Sequence, residues 1–199
     1  QLAGIASELT QPTAIAIRTL PPLVFGDAHP YGTPFSGTGT VVDVKAITRD
    51  DIVAAHHTWI RPDNAEIFVV GNTTLAEIVP LLEARFGHWT PPATARGTKS
   101  FAAPVPPARP RIVLVDRPQS PQSLILAGTV MPVVGTDELS TLLAANDVLG
   151  GQFLSRLNME IRENKGWGYG AFGFANRVEH QVPYIVYAPV QTDKTGLSI

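Results

Sequence analysis

Leu149-Gly-Gly-Gln-Phe-Leu-Ser-Arg-Leu-Asn-Met-Glu-Ile-Arg-Glu-Asn-Lys-Gly-Trp-Gly-Tyr169 is the densest stretch of the chain, and its reading decides the fold. Gly150 and Gly151 permit a tight break between two helices. Phe153, Leu157 and Ile161 recur at i, i+4 and i+8, which predicts a helix over residues 153–164 with these three on its buried face. Arg156 and Glu160 stand four apart and can pair on the exposed face, for only ~0.3 kcal/mol. Gly166 and Gly168 let the chain leave the helix sharply. Tyr169 is then expected to open a strand over residues 169–178.

Working outward, residues 137–150 carry Leu139, Leu142, Leu143 and Leu149 and read as a helix. Residues 111–116 and 123–130 read as strands, with a turn at Pro118 to Pro121 between them. Residues 183–190 read as a further strand. The order β-β-α-β-β predicts an α+β fold, an antiparallel sheet with helices packed on one face. Residues 91–110 are rich in proline and read as a stiff linker. Before that linker, Leu2, Ile5, Ala6 and Leu9 follow helical spacing, and Pro12 opens a second helix that Pro21-Pro22 should interrupt. Residues 27–40 read as a loop. Thr48, followed by Asp50 and Asp51, caps a helix bearing Ile52, Ala55, His56 and Trp59. Residues 65–71 (Ala-Glu-Ile-Phe-Val-Val-Gly) read as a buried strand. Residues 72–74 cap a helix with an apolar stripe that Gly87 ends. The expected organisation is therefore residues 1–90 as the closing half of one α/β repeat, the linker, and residues 111–199 as the opening part of the next.

Composition narrows the function. Of 199 residues, 44% are apolar and 16% charged, enough apolar surface for a core. The net charge is -2 with no dense Lys/Arg cluster, which argues against nucleic acid as a partner. There is no cysteine, so disulfides, thiolate metal sites and cysteine nucleophiles are excluded. No apolar run reaches the ~18 residues of a membrane span. The chain opens at Gln1 inside what reads as a helix, so it is expected to be a segment of a longer protein.

The 149–169 string resembles the second-domain signature of the insulinase, pitrilysin and mitochondrial processing peptidase family of zinc peptidases. That signature runs Leu-Gly-Gly-Gly-x-x-Ser-Arg-Leu and then Leu-Arg-Glu-x-x-Gly-x-x-Tyr. An ordered set upstream resembles the closing half of the family's first domain: Pro30-Tyr31-Gly32, Gly37-Thr38, Ile47-Thr48, Asp51-Ile52, Arg61-Pro62, Asn64-Ala65, Val69-Val70-Gly71-Asn72 and Phe86-Gly87-x-Trp89. The resemblance implies a processing-peptidase-like half of a clamshell, carrying the non-catalytic, "inactive domain" portion. It implies that Arg162 and Tyr169, seven residues apart, are substrate-binding and reach the backbone of an extended peptide near the scissile bond. A guanidinium and a phenol suit an oxygen that gains charge during hydrolysis. It also implies a partner, a zinc-bearing catalytic domain or subunit of the same family, and zinc as the cofactor of that parent. A bacterial, secreted parent would place the chain in the periplasm.

The family's metal motif, His-x-x-Glu-His on a helix, does not occur here. His56 and His57 are adjacent, about 100° apart around a helix, so they do not face one metal together. His29, His88 and His180 have no partner at ligand spacing, and Glu8 falls a few residues late for the distal zinc ligand. No catalytic and no metal-binding residue is expected within this chain. The competing reading is a structural or assembly module of the same fold without a peptidase role. Two further expectations concern geometry: Arg162 and Tyr169 should share one exposed face, and Arg162 should not be consumed by a buried salt bridge, with Glu163 pointing away or supporting the helix end.

Overall fold

The run Leu124-Ile125-Leu126-Ala127 has no polar alternation, which is the pattern of a strand covered on both faces. In the computed structural model, which describes residues 1–199, it lies in strand β1 (Gln122–Val134). Strands β2 (Phe172–Ala175) and β3 (Gln181–Gln191) complete a three-stranded sheet in the order β1-β3-β2. Both pairings are antiparallel, with Leu124 opposite Pro189, Gly128 opposite Ile185 and Phe174 opposite Ile185. The register slips between Val130 and Val134, where Pro132 removes a ladder donor.

The centre of this sheet contains two prolines, which determines how far β2 extends. Gln191 donates its backbone N–H to Trp167, on the β2 side of β3. Pro189 and Pro183 have the same parity as Gln191, so their missing donors are on that side as well. β2 pairs only with Tyr184 to Tyr187, between the two prolines. The strand expected over residues 169–178 is therefore four residues long, and Tyr169 lies in the bend before it.

Helix α1 (Leu2–Glu8) and helix α2 (Pro12–Phe25) precede the sheet. Pro21 and Pro22 do not interrupt α2. The helix continues because Pro21 and Phe25 are buried, and it ends at Gly26, whose φ is 83°. Arg111 donates to the carbonyl of Leu23, covering a C-terminal acceptor that the helix leaves open. Arg18 joins Glu8 at 2.7 Å, Thr38 at 2.8 Å and the Gly39 carbonyl at 2.6 Å, so it fastens α1, α2 and the following loop together.

Two helical stretches cross the opposite face of the sheet. Helix α6 (Ser140–Asn146) runs into a π-helical turn, Asp147–Gly151, and helix α7 (Arg156–Asn158) into a second, Met159–Asn164. Leu157 and Ile161 pack on Ala171, Ala188 and Val190. Leu139 and Leu142 pack with Ala175 and Val182. On the other face, a Cβ at Gly128 would lie 3.0 Å from the Leu20 side chain, which places α2 there. Helices thus cover both faces, where coverage of one face was expected. The reason is that Leu124, Leu126 and Ile185 make the second face apolar too.

The remaining helices lie upstream of the linker: α3 (Val41–Ala46), α4 (Arg49–Trp59) and α5 (Leu75–Phe86). Thr48 with Asp51, and Thr74 with Glu77, form reciprocal capping boxes at the starts of α4 and α5. Arg61 is buried against Asp63 at 2.6 Å and bonds the Thr94 carbonyl at 2.8 Å.

Two expected strands are absent. Residues 65–71 and 111–116 are not paired with any strand, and Val70 and Leu114 are 99% and 83% exposed. Their β-branched composition suits a pleated sheet, but a strand also needs a hydrogen-bonded neighbour, and neither has one. Two compact units result, one of residues Gln1–Val41 with Ser100–Ile199, the other of residues Val42–Lys99. Their limits do not coincide with a division at residues 91–110, because Thr94, Arg96 and Gly97 bond back to Arg61, Asp63 and Thr58.

Candidate functional site

The site grows from the second π-helical turn. Ile161 anchors that turn in the core, so its neighbour Arg162 projects away from the Ile161 side. Lys165 donates to the Glu160 carbonyl at 3.0 Å and Gly166 to the Arg162 carbonyl at 3.1 Å, which closes the turn. Gly166 then takes φ 63°, a left-handed conformation that glycine adopts without a Cβ clash. Trp167 returns its N–H to the Ile161 carbonyl at 3.0 Å. Gly168 passes so close to β3 that a Cβ there would stand 2.2 Å from the Pro189 carbonyl oxygen. This tight reversal delivers Tyr169, 83% exposed, beside the helix end.

The structure brings Arg162 and Tyr169 together. The guanidinium carbon lies 5.0 Å from the Tyr169 ring centre and 4.4 Å from that of Phe153. Its Nε stands 3.3 Å from Glu163 Oε1, so of the two placements expected for Glu163 it does not point away, and the ion pair it makes is not a buried one. The pair is partly exposed and costs little desolvation. The two terminal nitrogens of Arg162 make no hydrogen bond within the protein, and the guanidinium is a planar, rigid set of donors.

Phe153 was expected on the buried stripe with Leu157 and Ile161, yet it is 53% exposed. The helix begins at Arg156, so the i, i+4 relation does not extend back to residue 153. The break at Gly150-Gly151 is legible in the sequence; the missed signal is Ser155, whose extended backbone (ψ 156°) delays the helix start to Arg156. A Cβ on Gly150 would lie 2.5 Å from the Gly173 nitrogen, and that contact seats the first π-helical turn against β2.

Two buried asparagines hold the frame. Asn146 donates to the Gly173 carbonyl at 2.9 Å and accepts from the Tyr184 hydroxyl at 2.9 Å. Burial also holds the Tyr184 phenol above its ordinary pKa, so it stays a donor. Asn158 donates to the Phe153 carbonyl at 2.6 Å and accepts from the Ala171 N–H at 3.1 Å. One fully buried side chain thus ties the loop bearing Phe153 to the strand lead-in that follows Tyr169.

The other residues weighed from sequence lie elsewhere. His56 and His57 are both exposed, with ring centres 5.8 Å apart. His29 is buried and stacked on Phe25, and His180 is stacked on Phe101. His88 is exposed. Glu8 is engaged by Arg18, whose hydrogen bond holds its carboxyl below the ordinary carboxylate range. No group of three or more His, Cys, Asp or Glu is arranged to hold a metal ion, so the residues present do not fit a zinc site. No helix is long and apolar enough to cross a membrane. A cavity of about 510 Å³ opens over the sheet face at Leu124, Tyr187 and Pro189, with Pro12 and Arg117 among its walls, and neither Arg162 nor Tyr169 lines it.

Residues 46–198 match the family described as the peptidase M16 inactive domain. The chain is 31% identical over 157 residues to an uncharacterized zinc protease of Mycobacterium leprae (strain TN), covering 75% of this chain and 33% of the relative. It is 25% identical over 159 residues to an uncharacterized zinc protease of Bacillus subtilis (strain 168), covering 80% and 37%. Among solved structures, it is similar to a peptidase M16 inactive domain from Pseudomonas fluorescens, with a TM-score of 0.78 at 20% identity. That match covers 99% of this chain and 47% of the other. A protease from Helicobacter pylori gives a TM-score of 0.68 at 21% identity, over 82% of this chain and 39% of the other. The chain spans between 33% and 37% of the length of the curated relatives it matches.

Proposed function

The chain belongs to the family of peptidase M16 inactive domains, and from that premise we propose that it is the non-catalytic, substrate-binding portion of a zinc metallopeptidase. In this reading residues 1–90 close one peptidase-like repeat and residues 111–199 open the next, as half of a clamshell around an extended peptide. A zinc-bearing domain or subunit of the same family carries out hydrolysis. This chain binds the peptide and orients it.

The observation that carries the reading is the convergence of Arg162 and Tyr169 on one exposed surface, with the terminal nitrogens of Arg162 free of protein acceptors. A peptide carbonyl gains negative charge as it is attacked. Donors already in place stabilise that charge without reorganising. The guanidinium supplies a planar pair of N–H donors and the phenol one O–H donor. Both sit at the end of a helix held by the core, so their spacing survives substrate binding.

The test is peptide hydrolysis by the complete peptidase that contains this chain. Arg162→Ala and Tyr169→Phe should each cut turnover, since losing one donor to a developing oxyanion costs ~2–4 kcal/mol of barrier. Stability should move by only ~0.5 kcal/mol, as for other exposed changes. Normal hydrolysis in both variants would defeat the reading and leave the assembly module in its place.

A further inference from the structure

We infer that Phe153 is a positioning residue for Arg162: its ring sets the direction in which the guanidinium offers its free donors. The inference rests on the substrate-binding reading of Arg162 and Tyr169. Phe153 belongs to the same glycine-led loop, yet it neither enters the core nor leaves the site.

Phe153 is 53% exposed, so its ring is not consumed by the core and is available to a neighbouring cation. Its ring centre lies 4.4 Å from the Arg162 guanidinium carbon, closer than the Tyr169 ring at 5.0 Å. A cation over a ring face is attracted by the ring's quadrupole. Arginine is otherwise a long side chain with several free torsions, and ordering it on binding weakens affinity. Two rings on the guanidinium and Glu163 at its Nε remove most of that freedom beforehand. What remains open is the edge bearing the two terminal nitrogens.

Phe153 can only do this if its own backbone is fixed, and it is. The Phe153 carbonyl accepts from Asn158 Nδ2 at 2.6 Å, and Ser155 N–H closes on the Gln152 carbonyl at 3.0 Å. Asn158 also holds the Ala171 N–H, two residues beyond Tyr169. The two rings that touch Arg162 therefore hang from segments joined through one buried amide.

The experiment uses a fluorescein-labelled decapeptide of alternating Ala and Ser, which offers main-chain carbonyls and no side-chain charge. Its dissociation constant for this chain is read by anisotropy, and the Arg162 Nε–Hε signal is read by NMR. Phe153→Ala should weaken binding about two- to fivefold and move the Nε–Hε signal toward that of a free arginine. Phe153→Leu, which keeps apolar volume without a ring face, should stay as weak, and Phe153→Tyr should restore binding. Restoration by Leu would reduce Phe153 to packing and overturn the inference. Unchanged binding in Phe153→Ala, while Arg162→Ala weakens it, would overturn the inference and leave the substrate-binding reading standing. If Arg162→Ala and Tyr169→Phe leave binding intact, the substrate-binding reading falls. The Nε–Hε signal then decides the inference alone: a signal that stays put in Phe153→Ala overturns it, and one that moves upholds it.

Discussion

Replacing Asn158 by Ala should be among the most damaging single changes in the 149–169 stretch. The side chain is fully buried and makes two hydrogen bonds of different consequence. The Ala171 N–H that it accepts belongs to a residue that is itself buried, so truncation leaves that donor without a partner. An orphaned buried donor costs ~1–3 kcal/mol. The Phe153 carbonyl belongs to an exposed residue and can turn to water, so the loss there is about 1 kcal/mol or less. The total is ~1–4 kcal/mol, a large share of the ~5–15 kcal/mol stability of a domain. Urea unfolding followed by tryptophan fluorescence measures it as a lower midpoint at unchanged slope. Arg156→Ala on the same short helix is the control and should stay within ~0.5 kcal/mol. A loss below ~1 kcal/mol for Asn158→Ala would show that the Ala171 donor finds another partner, and would remove the frame from the argument about Phe153.

Three further outcomes can be measured. Gly150→Ala puts a Cβ 2.5 Å from the Gly173 nitrogen and 2.9 Å from its Cα, backbone atoms that cannot swing aside, and should cost ~1–3 kcal/mol. Gly4→Ala in α1 meets nothing within 4 Å and should stabilise by ~0.5–1 kcal/mol, so the melting temperature should rise for Gly4→Ala and fall for Gly150→Ala, and no fall in Gly150→Ala would refute the contact. Burial of His29, and then the nearby His180, push the His29 pKa below its ordinary value. The unfolded chain thus binds the proton first, so stability from this group is complete above about pH 6.5 and is lost as pH falls through the folded pKa. Nδ1 accepts from the Tyr31 N–H at 3.0 Å, so Nε2 carries the neutral ring's proton, and a second proton can enter only at Nδ1, at the expense of that hydrogen bond. The drop in urea midpoint between pH 7.5 and 5.5 should shrink in His29→Phe, and parallel drops would count against the assignment.

Much of the fold was legible because local signals and tertiary contacts agree. Thr48 and Thr74 cap their helices, and β1 and β3 lie where apolar, β-branched runs predicted strands. The site's outline was legible from the pairing of a helix stop at Gly166 with Tyr169 just beyond it. What sequence did not show falls into two kinds. Residues 65–71 and 111–116 have strand composition but no neighbour, and pairing is a property of two segments, invisible in one. Phe153 fell outside its predicted stripe because helical periodicity holds only within one continuous helix, and the extended Ser155 delays the helix start to Arg156.

The prolines of β3 show how these levels meet at the site. Pro183 and Pro189 would argue against a central strand if read alone. In the sheet they bracket β2 and leave residues 169–171 outside its ladder, while beyond Pro189 Gln191 still bonds the Trp167 carbonyl. An unpaired lead-in is free to turn, and Gly168 uses that freedom to pass against the Pro189 carbonyl. Had residue 189 carried an N–H, β2 could have extended back toward Tyr169 and drawn its side chain into sheet alternation. The missing donor instead leaves Tyr169 outside the ladder, exposed beside the helix end where the Arg162 guanidinium lies over its ring. The proline that breaks the sheet rule thus lies against the same reversal at which the two side chains meet.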